Sequence, residues 1–179
     1  MLLDIYMIVW LFPIIFILHD FEEIIFIKPW FEKNRERLTV RFPKMSKRLL
    51  AHTDSFTTSS LALGVAGMFM LISVVTITAY MTDWYYLWFG VFIAFTFHLI
   101  IHCFPGFVFM GYVPAIVTSV IFLPLCCYIN VLFLRLVKID FILAVLFTAI
   151  GIAIMAANLL LVHKVMPIFD RWLNGYQYK

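Results

Sequence analysis

Charge is scarce in this chain: 13% of its 179 residues are Asp, Glu, Lys or Arg, whereas 65% are hydrophobic and the mean hydropathy is +1.04. That poverty excludes an ordinary soluble domain and points to an all-α polytopic membrane protein. Strand-like alternation is missing too, because the apolar stretches are continuous rather than of period two. There are three cysteines, Cys103, Cys126 and Cys127, and no C-x-x-C pair, so a disulfide framework is not expected. Cys103, beside His102, reads as a small buried hydrophobe. No nucleotide-binding loop, G-x-S-x-G elbow, internal repeat or low-complexity tract occurs. The first apolar run lacks the basic start and small-residue cleavage site of a signal peptide and is expected to persist in the mature protein.

What the sequence does contain is five long apolar runs, at roughly 2–27, 55–79, 84–103, 107–134 and 139–163, each long enough for a hydrocarbon core of about 30 Å. They predict a single transmembrane domain over 1–179, a bundle of about five helices. Basic residues are distributed unevenly. Eight lie between Lys28 and Asp54 and three more are Lys164, Arg171 and Lys179, while only Arg135 and Lys138 lie on the other side. Eleven against two places the N-terminus outside and the C-terminus in the cytoplasm of an inner or plasma membrane, crossed several times. The net charge of +3 then reports topology and contact with anionic headgroups, and nucleic acid is not an expected partner. The basic linker at about 28–54 interleaves Trp30, Phe31, Leu38, Val40 and Phe42 with its charges and is divided by Pro43. It predicts two short interfacial segments that cover the mouth of a site.

Within the first run stand His19, Asp20, Phe21, Glu22 and Glu23. An ionisable group at the centre of a membrane helix costs roughly 2.5–3.5 kcal/mol, and it survives where it faces other helices, a partner charge or a metal. At helical spacing His19, Glu22 and Glu23 share a face. His98 and His102 are spaced i, i+4, as two imidazoles on one metal are, although the intervening Leu-Ile-Ile lacks the acid of an H-E-x-x-H protease helix. All five histidines fall towards the cytoplasmic ends of their runs, which points to one shared site. The donor set, three imidazoles and two carboxylates, suits zinc first, with iron or manganese as alternatives. Asp20 points about 100° from His19 and is assigned an outer role, orienting a ligand. His52, Asp54, Tyr112, Thr118, Asn158 and His163 complete the candidate pocket. A structural alternative pairs Glu22 and Glu23 with Lys28 or Arg35. The prolines of the fourth run predict a re-entrant start at Phe104-Pro105-Gly106 and a kink at Pro114, with Thr118 satisfying a freed backbone group.

These residues resemble the HXXEE-domain proteins, small bacterial membrane proteins of mostly unassigned function. The motif is His19-Asp20-Phe21-Glu22-Glu23, followed by a histidine pair like His98 and His102 and a Tyr-x-Pro stretch similar to Tyr112-Val113-Pro114 with Thr118 and Pro124. Where that family tends to have Pro-Gly, this chain has Pro114-Ala115, which weakens any role needing a flexible backbone there. The resemblance implies a metal site and brings no settled reaction with it.

The leading expectation is a metal-dependent hydrolase acting on a lipid or other apolar substrate from the cytoplasmic leaflet. His19, Glu23, His98 and His102 would hold the ion and Glu22 would serve as general base. The alternatives are a di-iron or di-manganese oxidase and a non-enzymatic proton- or cation-coupled transporter or sensor. Membrane lipids are the expected surroundings. Gly64 with Gly67, and Ala153 with Ala156 and Ala157, permit close helix contacts within or between chains, so the oligomeric state stays open.

Overall fold

The computed structural model describes residues 4–177. Leu2, the expected start of the first run, and Lys179 of the basic tail lie outside the described residues. Six helices follow one another: α1 (Ile5–Arg41), α2 (Pro43–Asp54), α3 (Thr58–Thr82), α4 (Tyr86–Phe109), α5 (Ile116–Leu136) and α6 (Phe141–Gln177). No strand occurs among the described residues. Four helices, α3 to α6, are long and apolar enough to cross a membrane. The fifth expected span is the first part of α1, which differs from the others in carrying the HDFEE acids and in running on without a break as a basic helix to Arg41.

Helix boundaries depart from expectation in three places, each for a local reason. The linker at 28–54 is not two interfacial pieces: its first half continues α1, and only Phe42-Pro43 interrupts the chain, with Pro43 at the first position of α2 where its missing N–H costs nothing. Phe104-Pro105-Gly106 does not start a new span but lies inside α4, which ends at Met110 in the left-handed conformation. The helix continues through Pro105, and Gly106 beside it leaves room for the Ile116 side chain of α5; a Cβ at Gly106 would lie 1.8 Å from Ile116 Cδ1. The last helix runs well beyond residue 163.

Helix α4 lies at the centre of the bundle and packs against α1, α3, α5 and α6. Its N-terminal half supplies the aromatic core. Trp88 stacks between Phe92 and Phe133, Phe12 of α1 meets Trp88 and Phe92 edge-on, and Trp88 Nε1 donates to the Val9 carbonyl at 3.2 Å. On its other flank α4 meets α6 backbone to backbone, at Gly90 and Gly151. A Cβ at Gly90 would lie 2.0 Å from the Phe147 carbonyl oxygen, and one at Gly151 would lie 2.4 Å from the Gly90 oxygen. Small residues allow this approach, which van der Waals packing and not water exclusion must stabilise inside a bilayer.

Polar clamps fix the ends at the basic side. Thr57 and Ser60 form a capping box at the start of α3, and the Asp170 carboxylate of α6 accepts from the Thr57 N–H at 3.1 Å and the Ser60 hydroxyl at 3.0 Å. Lys28 Nζ donates to the Thr53 carbonyl and lies over the Phe56 ring. Arg35 forks onto the Asp54 carboxylate, and that hydrogen bond holds the Asp54 carboxyl below its ordinary range.

The glycine contact predicts a measurable asymmetry. Gly90→Ala must push carbonyl and methyl apart and is expected to cost about 1–3 kcal/mol, seen as a lower melting temperature in detergent. Gly67→Ala, where a Cβ meets nothing within 4 Å, is expected to leave that temperature unchanged or slightly raised.

Candidate metal and substrate site

Two faces of α1 diverge at the HDFEE segment. Residues three apart on a helix are neighbours, so His19 pairs with Glu22 on one face and Asp20 with Glu23 on the next. The first pair turns towards α5 and the C-terminal half of α4. The second lines a cavity bounded by α1, α2, α3, α4 and α6.

On the first face three imidazoles converge. Ligand atoms of His19, His98 and His102 all lie within 4.8 Å of one another. His98 and His102 occupy one face of α4 with their Nε2 atoms 3.0 Å apart, and the His19 ring reaches across from α1 to within 5.6 and 5.2 Å of theirs, centroid to centroid. Phe95 packs against both His19 and His98 and holds their rings in place.

Glu22 is fully engaged by α5. Its carboxylate accepts the backbone N–H of Val117 at 3.3 Å, the N–H of Thr118 at 2.7 Å and the Thr118 hydroxyl at 2.6 Å. The reason lies in the start of α5. Ala115 occupies the N-cap position with φ of 68° and has no side-chain oxygen to offer the first N–H groups. A carboxylate from a neighbouring helix supplies what the cap lacks, and the positive end of the helix dipole favours it there. The left-handed Ala115 also explains why a Pro-Gly pair would suit this turn, since glycine takes a positive φ without a Cβ clash.

Thr118 sets the tautomer of His19. Its single hydroxyl proton goes to Glu22, so the oxygen accepts from His19 Nδ1–H at 2.9 Å. Nε2 of His19 is thereby left as a bare lone pair, buried and with no hydrogen-bond partner among the described residues. An imidazole held through one nitrogen by an oxygen, with the other nitrogen free, is how metal-ligating histidines are arranged. Nitrogens 2.0–2.1 Å from one tetrahedral zinc ion lie roughly 3.3 Å apart; the His98–His102 pair is near that at 3.0 Å, and the whole set, within 4.8 Å, needs only a small inward shift of the rings. The residues present therefore fit a zinc-class ion.

The second face opens on a cavity of about 600 Å³, mostly apolar. Asp20, Glu23 and His98 stand on its wall, as do Asn158 and His163 of α6 and His52 of α2. His52 and His163 form a second imidazole pair, centroids 4.6 Å apart. The five histidines thus make two clusters, joined by the cavity, where the sequence pointed to one. His52 is pushed below its ordinary pKa by burial, His163 and Lys28.

The remaining candidates fall as follows. Glu23, expected as a ligand, is not among the groups within 4.8 Å of one another and lines the cavity wall, and Glu22, expected as general base, has both oxygens taken by α5. Asp54 is outside the site, on the surface with Arg35. Tyr112 lies in the α4–α5 loop, its carbonyl accepting from Trp30 Nε1 at 2.7 Å and its ring against Phe26. Thr118 belongs to the site through its hydroxyl. Sequence reading missed the capping role of Glu22. The signal available for it was an α5 start without a capping residue, following Pro114-Ala115.

This chain belongs to the family described as proteins of unknown function with an HXXEE motif, whose sequence profile matches residues 10–129. The matched region runs from within α1 through most of α5 and so includes every group of the imidazole cluster and its Thr118 support. No curated protein and no solved structure matches the chain. The histidine and first glutamate of the motif are the two residues bound to Thr118. Glu22→Ala is expected to destabilise the protein by about 1–3 kcal/mol, because it leaves the Val117 and Thr118 N–H groups unpaired. Glu22→Gln, which keeps an acceptor oxygen, is expected to lose less in the same thermal unfolding measurement.

Proposed function

We propose that the protein is a membrane-embedded metal-dependent enzyme, a hydrolase of a lipid or another apolar substrate. The observation that carries this reading is the convergence of His19, His98 and His102 within 4.8 Å beside a mostly apolar cavity whose wall includes His98. Catalytic zinc sites keep three protein ligands and an open fourth position, and three imidazoles from two helices answer that description. Zinc is the first choice, iron or manganese the alternatives. Such an ion, when bound, polarises an ester, amide or phosphoryl oxygen and makes a nucleophile available at neutral pH.

The chain's own residues divide the remaining work. Thr118 and Glu22 orient His19 and keep its Nε2 unprotonated. Glu23 takes the proton from the attacking water in this reading, since it stands on the cavity wall while both Glu22 oxygens are bound to α5. The apolar wall accepts the substrate's chain and excludes bulk water from the reacting carbonyl. With Glu22 spent on α5, a four-carboxylate di-metal centre is short of ligands, which disfavours the oxidase alternative. The excess of basic residues at the α1–α2 end supports a multi-pass inner- or plasma-membrane protein with that end in the cytoplasm and the N-terminus outside.

Metal content tests the reading directly. The full chain, purified in mild detergent without a histidine tag, is expected to retain about one zinc-class ion per chain, lost in His19→Ala and in His98→Ala. Absence of stoichiometric metal after repletion overturns the proposal. Thr118→Val, which frees the His19 ring without touching the backbone contacts of Glu22, is expected to weaken metal affinity roughly 10- to 100-fold in a chelator competition.

A further inference from the structure

The cavity wall carries an unpaired carboxyl group. Asp20 is 5% exposed, its Oδ2 has no hydrogen-bond partner among the described residues, and it faces this cavity. Glu23 stands one turn further along the same stripe. No lysine or arginine lies on the wall among the described residues. The nearest basic residue along α1, Lys28, is spent on the Thr53 carbonyl and the Phe56 ring. A buried carboxylate without a partner is costly, so Asp20, with Glu23 one turn away on the same wall, indicates that something cationic comes to them.

The shape of the cavity narrows the choice. On α1 the stripe runs from Phe16 to Phe31, fifteen residues and so about 22 Å at 1.5 Å per residue. The volume of about 600 Å³ lies inside the range of roughly 300–1,000 Å³ typical of small-molecule sites. The polar groups are not at its end. Asp20 stands one turn from the inner end of the stripe at Phe16, where Met68 and Phe97 also contribute, and from Glu23 the apolar wall continues towards the basic end along Ile27 and Phe31. A compact hydrated cation would leave that apolar length unfilled, and an anionic lipid head would face two acids.

We propose that this cavity binds a single-chain amphiphile with a protonated amine head, the ammonium seated between Asp20 and Glu23 and its apolar part against the wall to which Phe16, Met68 and Phe97 contribute. The site shares Glu23 and the cavity with the proposed hydrolase reading, but it holds its ligand through carboxylates and does not depend on a metal at the imidazoles. An ammonium offers three donors to the two carboxylates, and the tail exchanges one apolar surrounding for another, so the head supplies the selectivity.

The test uses the full chain in phosphatidylcholine nanodiscs with a diazirine-bearing hexadecylamine, cross-linked sites being located by peptide mass spectrometry. Saturable labelling of cavity residues on α3 and α6, such as Met68 and Met155, is expected. Hexadecylamine should compete roughly tenfold or more better than hexadecanol or hexadecanoate, and Asp20→Asn or Glu23→Gln should each weaken labelling by a similar factor. Equal competition by the three head groups would show a groove open to any chain and would overturn the proposal. Unchanged labelling in both variants would do the same. Labelling is expected to be equal in chelator-stripped and zinc-repleted protein; labelling confined to repleted protein would assign the amine to the imidazoles and overturn the carboxylate site.

Discussion

A single carboxylate ties the two ends of the motif to the rest of the bundle. Glu22 leaves α1 to accept three hydrogen bonds at the start of α5, and the orientation of His19 in the imidazole cluster follows from that contact. Away from water, charge-assisted hydrogen bonds of this kind are short and strong. The contact closes a helix start that has no cap of its own, docks α5 against α1, and turns the Thr118 hydroxyl so that it can hold His19. Remove it and α5 loses its cap while His19 loses its orientation. Stability and site geometry are thus two results of one interaction.

Around that contact the packing is uneven in a useful way. Aromatic rings fill the half of the bundle near Phe12, Trp88 and Phe133, and glycines bring α4 and α6 together at Gly90 and Gly151. The other half, from Phe16 and Met68 towards the basic end, is left as a cavity. A rigid, filled half beside an open half is how a helical bundle can carry a pocket without losing a defined structure. His98 belongs to both regions, facing the cluster and the cavity wall.

Much of this was legible in the sequence, and the limit is instructive. Continuous apolar runs gave the helices, and the placing of His19, His98 and His102 at matching depths anticipated their meeting. The partition of the acids was not legible. Helical spacing alone set His19, Glu22 and Glu23 on one face, whereas the structure sorts the segment into His19 with Glu22 and Asp20 with Glu23. Neighbouring positions on a helix differ by only 100°, and which pair faces which neighbour depends on where α5 and α6 dock, which no local pattern encodes. Pro105 also misled: a proline in a membrane helix need not end it, and here α4 runs on through Pro105 to Phe109.

One helix separates the cavity from its surroundings on the α6 side. Val162 lines the inner face of α6, while Leu160 and Leu161 are exposed on the outside. In a bilayer those outer leucines meet acyl chains. An apolar molecule crossing that wall arrives from a two-dimensional solvent, so its supply is set by mole fraction in the lipid and not by bulk concentration. Adding lipid at constant amounts of protein and solute would therefore empty the cavity, as adding water empties a site that fills from solution.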